Sequence, residues 1–174
     1  MKIIYPLLSV LFLIACSNNT ADNKATPETK LNGQNTASQT STPETSASVK
    51  ILKNGKQVAE YSPSGPAAIT LKISGNESMM IKLNSADNVY SLMGTLKTPA
   101  SGNYKLDVEG KSDTQFQFLS DGSTKLPTML NLKGNLQLTV AGQTCSGTFS
   151  GTDNIGNETY EVSGSFTSIP LEKR

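Results

Sequence analysis

Histidine and tryptophan are absent from this chain of 174 residues, and cysteine occurs twice, as Cys16 and Cys145. Each shortage excludes chemistry. Without histidine there is no Ser-His-Asp or Cys-His arrangement for nucleophilic catalysis. The commonest side-chain ligand for zinc, copper and iron is missing for the same reason. No Gly-x-Ser-x-Gly elbow and no Ser-x-x-Lys pair is present, nor a phosphate-binding glycine loop of the P-loop or dinucleotide type. Charge of one sign is lacking too: fifteen Lys and Arg stand against fourteen Asp and Glu. A nucleic-acid partner, which wants a basic patch, is therefore not expected.

Long hydrophobic runs are also scarce. The one continuous apolar stretch, Ile3 to Ala15, follows the positive start Met1-Lys2 and is thirteen residues long. A membrane-crossing helix needs roughly 20. The stretch is too short to span but suits the apolar region of a secretory signal. It stops at Leu13-Ile14-Ala15-Cys16. That sequence resembles the bacterial lipobox, in which a small residue precedes a cysteine that receives a diacylglyceryl group. The resemblance implies cleavage before Cys16, which becomes the first residue of the mature protein and its lipidation site. One acyl chain holds a protein to a bilayer only marginally, at about 0.8 kcal/mol per buried methylene, whereas two or three hold it stably. The implied location is the bacterial outer membrane, by lipid anchor. Ser17 stands where an aspartate would resemble an inner-membrane retention signal. The residues after Cys16 are Ser17, Asn18, Asn19 and Thr20 rather than an acidic cluster of the kind that directs some lipoproteins to the cell surface. A periplasm-facing orientation is expected, with the cell surface as the alternative.

Four regions follow. Residues 1–15 read as the lipoprotein signal peptide. Residues 16–48 read as the lipidated cysteine and a disordered linker of Ser, Thr, Asn, Ala, Pro, Glu and Lys, with Leu31 its only large aliphatic residue. Such a composition cannot bury enough apolar surface to offset the entropy of ordering. Residues 49–171 are one domain by length, and 172–174 a tail. Cleavage removes Lys2 and no acid, so the mature chain is formally neutral.

The domain alternates with period two almost throughout, which is the mark of half-buried strands. Leu136, Leu138 and Val140 form one stripe; Cys145, Gly147 and Phe149 another; Tyr160, Val162, Gly164 and Phe166 a third. These three strands predict a meander with a tight turn at Ala141-Gly142-Gln143 and a longer loop from Asp153 to Asn157. Upstream, Ile69, Leu71 and Ile73 make an apolar stripe, followed by Met79, Ile81 and Leu83 after a turn around Gly75-Asn76. Next come Tyr90, Leu92, Gly94 and Leu96; then Tyr104, Leu106 and Val108; then Phe116 and Phe118, ended by Asp121-Gly122. Val49 to Tyr61 holds a first hairpin turning at Asn54-Gly55. The expected fold is all-β: a single antiparallel β-sandwich or open barrel of about eight to ten short strands. A strand glycine usually marks a bulge or a close approach. Gly147 and Gly164, each two residues before a phenylalanine, are expected to lie under a ring from the neighbouring strand.

"SGTFSGTDNIGNETYEVSGSFTSIPL" resembles the closing hairpin of small, uncharacterised β-sandwich lipoproteins of Bacteroidetes-type bacteria, and "SGNYKL" at 101–106 their Gly-x-Tyr strand. The resemblance implies the fold and no activity, cofactor or catalytic residue.

Candidate chemistry is sparse. With Cys16 lipidated, Cys145 has no disulfide partner, and its parity with Phe149 predicts a buried packing cysteine. Asp107 and Glu109 share one strand face with Asp113 just beyond, unlike two carboxylates set across a cleft. The oxygen-rich segment Asp153 to Glu158 lacks the spacing of a calcium loop and reads as a hairpin turn. No catalytic residue, metal site or cofactor is expected. The expected function is that of a membrane-anchored, non-enzymatic envelope lipoprotein presenting its β-domain for binding or a structural role. An inhibitor or accessory subunit working through protein contact is the alternative, and a carboxylate-based enzyme a third. Beyond the membrane itself, a protein or a small hydrophobic molecule is the partner class.

Overall fold

The computed structural model describes residues 44–174, apart from 74, 75, 98 and 108–111. The expected signal peptide, Cys16, almost all of the expected linker and Glu109 lie outside the described residues. Within them the chain is all β, with no helix. The strands are β1 (Ser46–Lys53), β2 (Lys56–Tyr61), β3 (Ala67–Ile73), β4 (Asn76–Asn84) and β5 (Tyr90–Leu96), then β6 (Gly102–Leu106), β7 (Thr114–Ser120), β8 (Met129–Ala141), β9 (Thr144–Ile155) and β10 (Glu158–Lys173).

Short turns set the hairpins. Asn54 and Gly55 both have positive φ, 50° and 75°, as a type I′ turn requires, and they join β1 to β2. Gly142 (φ 61°) and Gly156 (φ 62°) each open a two-residue connection, β8–β9 and β9–β10. The expected longer loop from Asp153 to Asn157 is therefore corrected. Asp153 and Asn154 pair with Tyr160 and Thr159, and only Gly156 and Asn157 turn. Their side chains explain the extra pairing: Asp153 Oδ2 accepts from the Asn131 backbone N–H at 2.8 Å, and Asn154 Oδ1 accepts from Thr159 Oγ1 at 2.8 Å.

The pairings close on themselves in the ring β10–β3–β4–β5–β7–β8–β9–β10. Two strands serve both halves of this ring. Met129 to Leu132 of β8 pair with β7, and Lys133 to Ala141 pair with β9. Likewise β10 pairs with β1 through Thr167, then with β3 through Leu171–Lys173. This last pairing is parallel, so the sheet is not wholly antiparallel as expected. One half, sheet A, runs β2–β1–β10–β9–β8–β6; the other, sheet B, runs β10–β3–β4–β5–β7–β8. At the bend of β8, Gly134 faces Gly151, and a Cβ on Gly134 would run into the Ser150 carbonyl. Only glycine lets the two backbones meet so closely. At the matching bend of β10, Thr167 and Ser168 oppose Ser146 alone, and Ser168 takes φ 51°.

The interior is filled by Ile51, Met79, Ile81, Leu83, Leu92, Leu96, Phe116, Phe118, Leu130, Leu132, Leu136 and Phe166, each less than 2% exposed. The expected inward stripes of β4, β5, β7, β8, β9 and β10 are present. β3 is reversed: Ala68 and Thr70 are buried, and Ile69 and Leu71 face outward, half-buried. Ala68 and Thr70 stand beside Ile81 and Met79, whose bulk already occupies the inner face. Three boundaries also move. β1 starts at Ser46, inside the expected linker, because Ser46–Ser48 pair with Ser165–Thr167. β10 continues to Lys173, through the expected tail, because it pairs with β3. β6 ends at Leu106, so Asp107 lies beyond it. The Met129–Gly134 half of β8 is a strand that period-two reading missed.

Candidate binding faces

The two outer faces differ in chemistry. On sheet A, outward side chains fall into rows set by strand register. Asn103, Gln137, Thr148, Ser165 and Ser48 form one row across β6, β8, β9, β10 and β1. Lys105, Asn135, Ser150, Ser163 and Lys50 form the next. Three open depressions lie along these rows, about 460, 300 and 240 Å³. Their rims are mostly neutral hydroxyls and amides, able both to donate and to accept. Polar alternation in Thr144–Thr152 and Ser163–Thr167 is visible in the sequence; the sharing of rows with β6 and β1 is not.

On sheet B the outward residues include an apolar stripe. Ile69 pairs with Met80, and Leu71 lies two residues along on β3. Met93 is diagonal to Met80, since it pairs with Lys82; Leu119 is diagonal to Met93, since it pairs with Ser91. Leu119 pairs directly with Met129, which is 46% exposed. Direct and diagonal cross-strand neighbours are close enough for long side chains to touch, so the stripe is continuous across β3, β4, β5, β7 and β8. None of its members belongs to the partly buried side chains that pack against the core.

Among the described residues the edges of sheet A are β2 and β6. β2 is protected by a bulge: Ile51 faces Ala59 and Leu52 faces Gln57, leaving Val58 unpaired and 45% exposed. A bulge of this kind blunts an edge against further strand pairing.

Several titratable groups are tied to neighbouring side chains and backbone. Lys53 Nζ lies 2.6 Å from Glu158 Oε1, and Tyr160 donates to Glu158 Oε2 at 2.6 Å. The bond to Glu158 holds the Lys53 ammonium above its usual value; the bonds from Lys53 and Tyr160 hold the Glu158 carboxyl below its own. Both shifts favour the charged form. Asp87 is lowered by hydrogen bonds from Ser85 and the Val89 N–H, and Asp121 by Ser123. Burial raises the Tyr61 hydroxyl, which donates to the Leu83 carbonyl. Cys145 is 1% exposed and burial pushes its thiol up to about 11, matching the expected packing role.

The other expected residues fall as follows. Asp113 pairs with Lys97 at 3.1 Å; Glu109 is outside the described residues, so the pair with Asp107 is not on view. In the Asp153–Glu158 segment, Asp153 binds backbone N–H groups of Asn131 and Asn154, both at 2.8 Å. Among the described residues no group of three or more His, Cys, Asp or Glu is placed to hold a metal ion. Compared with known proteins, the chain matches no family, no curated protein and no solved structure.

Proposed function

We propose that this chain is an envelope lipoprotein, anchored to the outer membrane through Cys16 and presenting to the periplasm a non-enzymatic β-domain for binding or a structural role. The observation that carries this reading is the apolar run that ends at Leu13-Ile14-Ala15-Cys16. It is supported by the closure of the fold: the ring of pairings is complete between Ala67 and Lys173, without the first 43 residues. We read the architecture as a barrel pressed into two sheets, because the pairings form a ring in which β8 and β10 belong to both halves. The non-enzymatic reading draws support from Lys53, Glu158, Asp87 and Asp121, whose perturbed carboxyls and ammonium are tied to structural hydrogen bonds. The binding role is assigned to the outer faces, where neutral polar rows and depressions line sheet A.

The test is metabolic labelling with a palmitate analogue in a bacterial host. The wild-type chain takes up label and fractionates with the outer membrane. Cys16→Ser loses both. Label and fractionation unchanged in the variant would remove the anchor and the reading with it.

A further inference from the structure

We infer that the outer face of sheet B is the bilayer-facing side of the anchored domain, docking on lipid through the stripe Ile69, Leu71, Met80, Met93, Leu119 and Met129. This inference rests on the proposed anchor at Cys16. Three observations support it. First, the stripe is continuous, outward and packed against nothing in the core. Methionine is unbranched and polarizable, suited to an irregular apolar surface such as acyl chains, and three of the stripe's side chains are methionine. Second, its surroundings fit an anionic headgroup layer. Lys82 flanks it, paired with Met93, and the carboxylate of Glu172, which faces Ile69 from β10, is paired with Arg174 at 3.1 Å. Third, the attachment point allows the contact. The described chain begins at Glu44, 28 residues after Cys16, and enters the fold where Thr45 Oγ1 donates to Ser168 O at 3.0 Å. That is the bend at which β10 leaves sheet A for β3 of sheet B.

The magnitudes are consistent. At full extension 28 residues span at most about 95 Å, more than the diameter of a domain of about 130 residues. The domain is thereby held at an effective concentration in the millimolar range relative to the surface. A face too weak to recruit the free protein can still set the orientation of the anchored one. The polar rows of sheet A are then directed away from the lipid.

The experiment uses the full-length lipidated protein in phosphatidylethanolamine–phosphatidylglycerol vesicles. A fluorophore is placed through Thr95→Cys, beside the stripe on β5, or through Gln137→Cys on the outer face of sheet A. Cys145 is buried and Cys16 is occupied by lipid, so labelling is selective. With a quencher attached to the lipid headgroup region, Thr95→Cys is expected to be quenched at least twofold more than Gln137→Cys. Met80→Gln/Met93→Gln/Met129→Gln, or Met129→Gln alone should the triple variant melt early, is expected to erase or reduce that difference. Equal quenching, a reversed order, or a difference that survives these substitutions overturns the inference. Shielding of residue 95 only when envelope proteins are added assigns the stripe to a protein partner, and also overturns it. A chain that takes up no lipid fails at the anchor, before this measurement begins.

Discussion

Gly164 of β10 faces Phe149 of β9, and Gly147 of β9 faces Phe166 of β10. A Cβ on Gly164 would stand 2.7 Å from Phe149 Cζ and would also strike the Ser48 carbonyl; one on Gly147 would stand 2.7 Å from Phe166 Cζ. Two glycine–phenylalanine pairs thus cross the same hairpin in opposite directions. Each ring lies in the space left by the facing glycine. Phe149 in turn sits 5.5 Å, centroid to centroid, from Phe116 across the interior, and Phe116 covers Gly94 of β5.

Adding a methyl group at these glycines is expected to destabilise the fold in an order set by what it meets. Gly164→Ala meets backbone as well as ring, and should cost about 3 kcal/mol, the upper end of the overpacking range. Gly94→Ala meets the Phe116 ring first, and Phe116→Leu should relieve it, giving strong non-additivity in a double-mutant cycle. Denaturant melts of the four proteins measure this; additive effects would show that ring and glycine are not coupled.

Ser168 holds φ 51° at the β10 bulge, where its backbone N–H donates to Ser146 Oγ at 2.9 Å. A left-handed conformation costs an L-residue roughly 1–2 kcal/mol, partly offset in a glycine variant by a more flexible unfolded chain. Ser168→Gly is expected to gain about 0.5 kcal/mol and Ser168→Val, β-branched, to lose more than about 1 kcal/mol. The order of urea midpoints checks it, with valine above glycine as the refuting result.

The acid limb of stability is expected to begin near the ordinary glutamate value of 4.5. Glu158, Asp87 and Asp121 have folded-state values below their unfolded ones. Their contribution is therefore present above the unfolded values and is lost as pH falls through the folded ones. Lys53 is raised, so its contribution is present below 10.5 and is lost as pH climbs past the folded value. Glu158→Gln should flatten both limbs, read as melting temperature against pH. All these groups reach solvent, so the effect is small and weakens with salt.

Cys145 is expected to resist thiol reagents at neutral pH, because it is buried and its thiol is pushed up to about 11. Labelling should proceed only as fast as the fold opens, and should rise steeply with denaturant. Rapid labelling of the native protein would contradict its packing among Val140 and Ile169, its ladder partners.

Removing Leu171–Arg174 is expected to open the ring. Only Leu171–Lys173 pair with β3, and Arg174 N donates to Thr70 O at 3.0 Å. The truncated chain would expose the β3 edge, lose several kilocalories per mole of stability and associate through that edge. Size-exclusion chromatography and thermal melts of the shortened protein test this; an equally stable monomer would show that the closure is dispensable.

Much of the interior is written locally. Met79, Ile81 and Leu83, Leu92 and Leu96, Phe116 and Phe118, and the β8–β10 meander alternate as half-buried strands must. Asn54-Gly55 names its own turn, because few residues tolerate two successive positive φ angles. The packing of Gly147 and Gly164 under phenylalanine rings was also readable, since a glycine on an apolar face leaves room that a neighbouring side chain fills. Those signals depend on neighbours within a strand or hairpin. Tertiary structure alone decided the reversed parity of β3, the parallel three-residue seam between β3 and β10, and the diagonal stripe on sheet B. Each depends on which distant strand lies alongside. Cross-strand register places Met129 beside Leu119 and Glu172 beside Ile69, and no local alternation encodes such a partner.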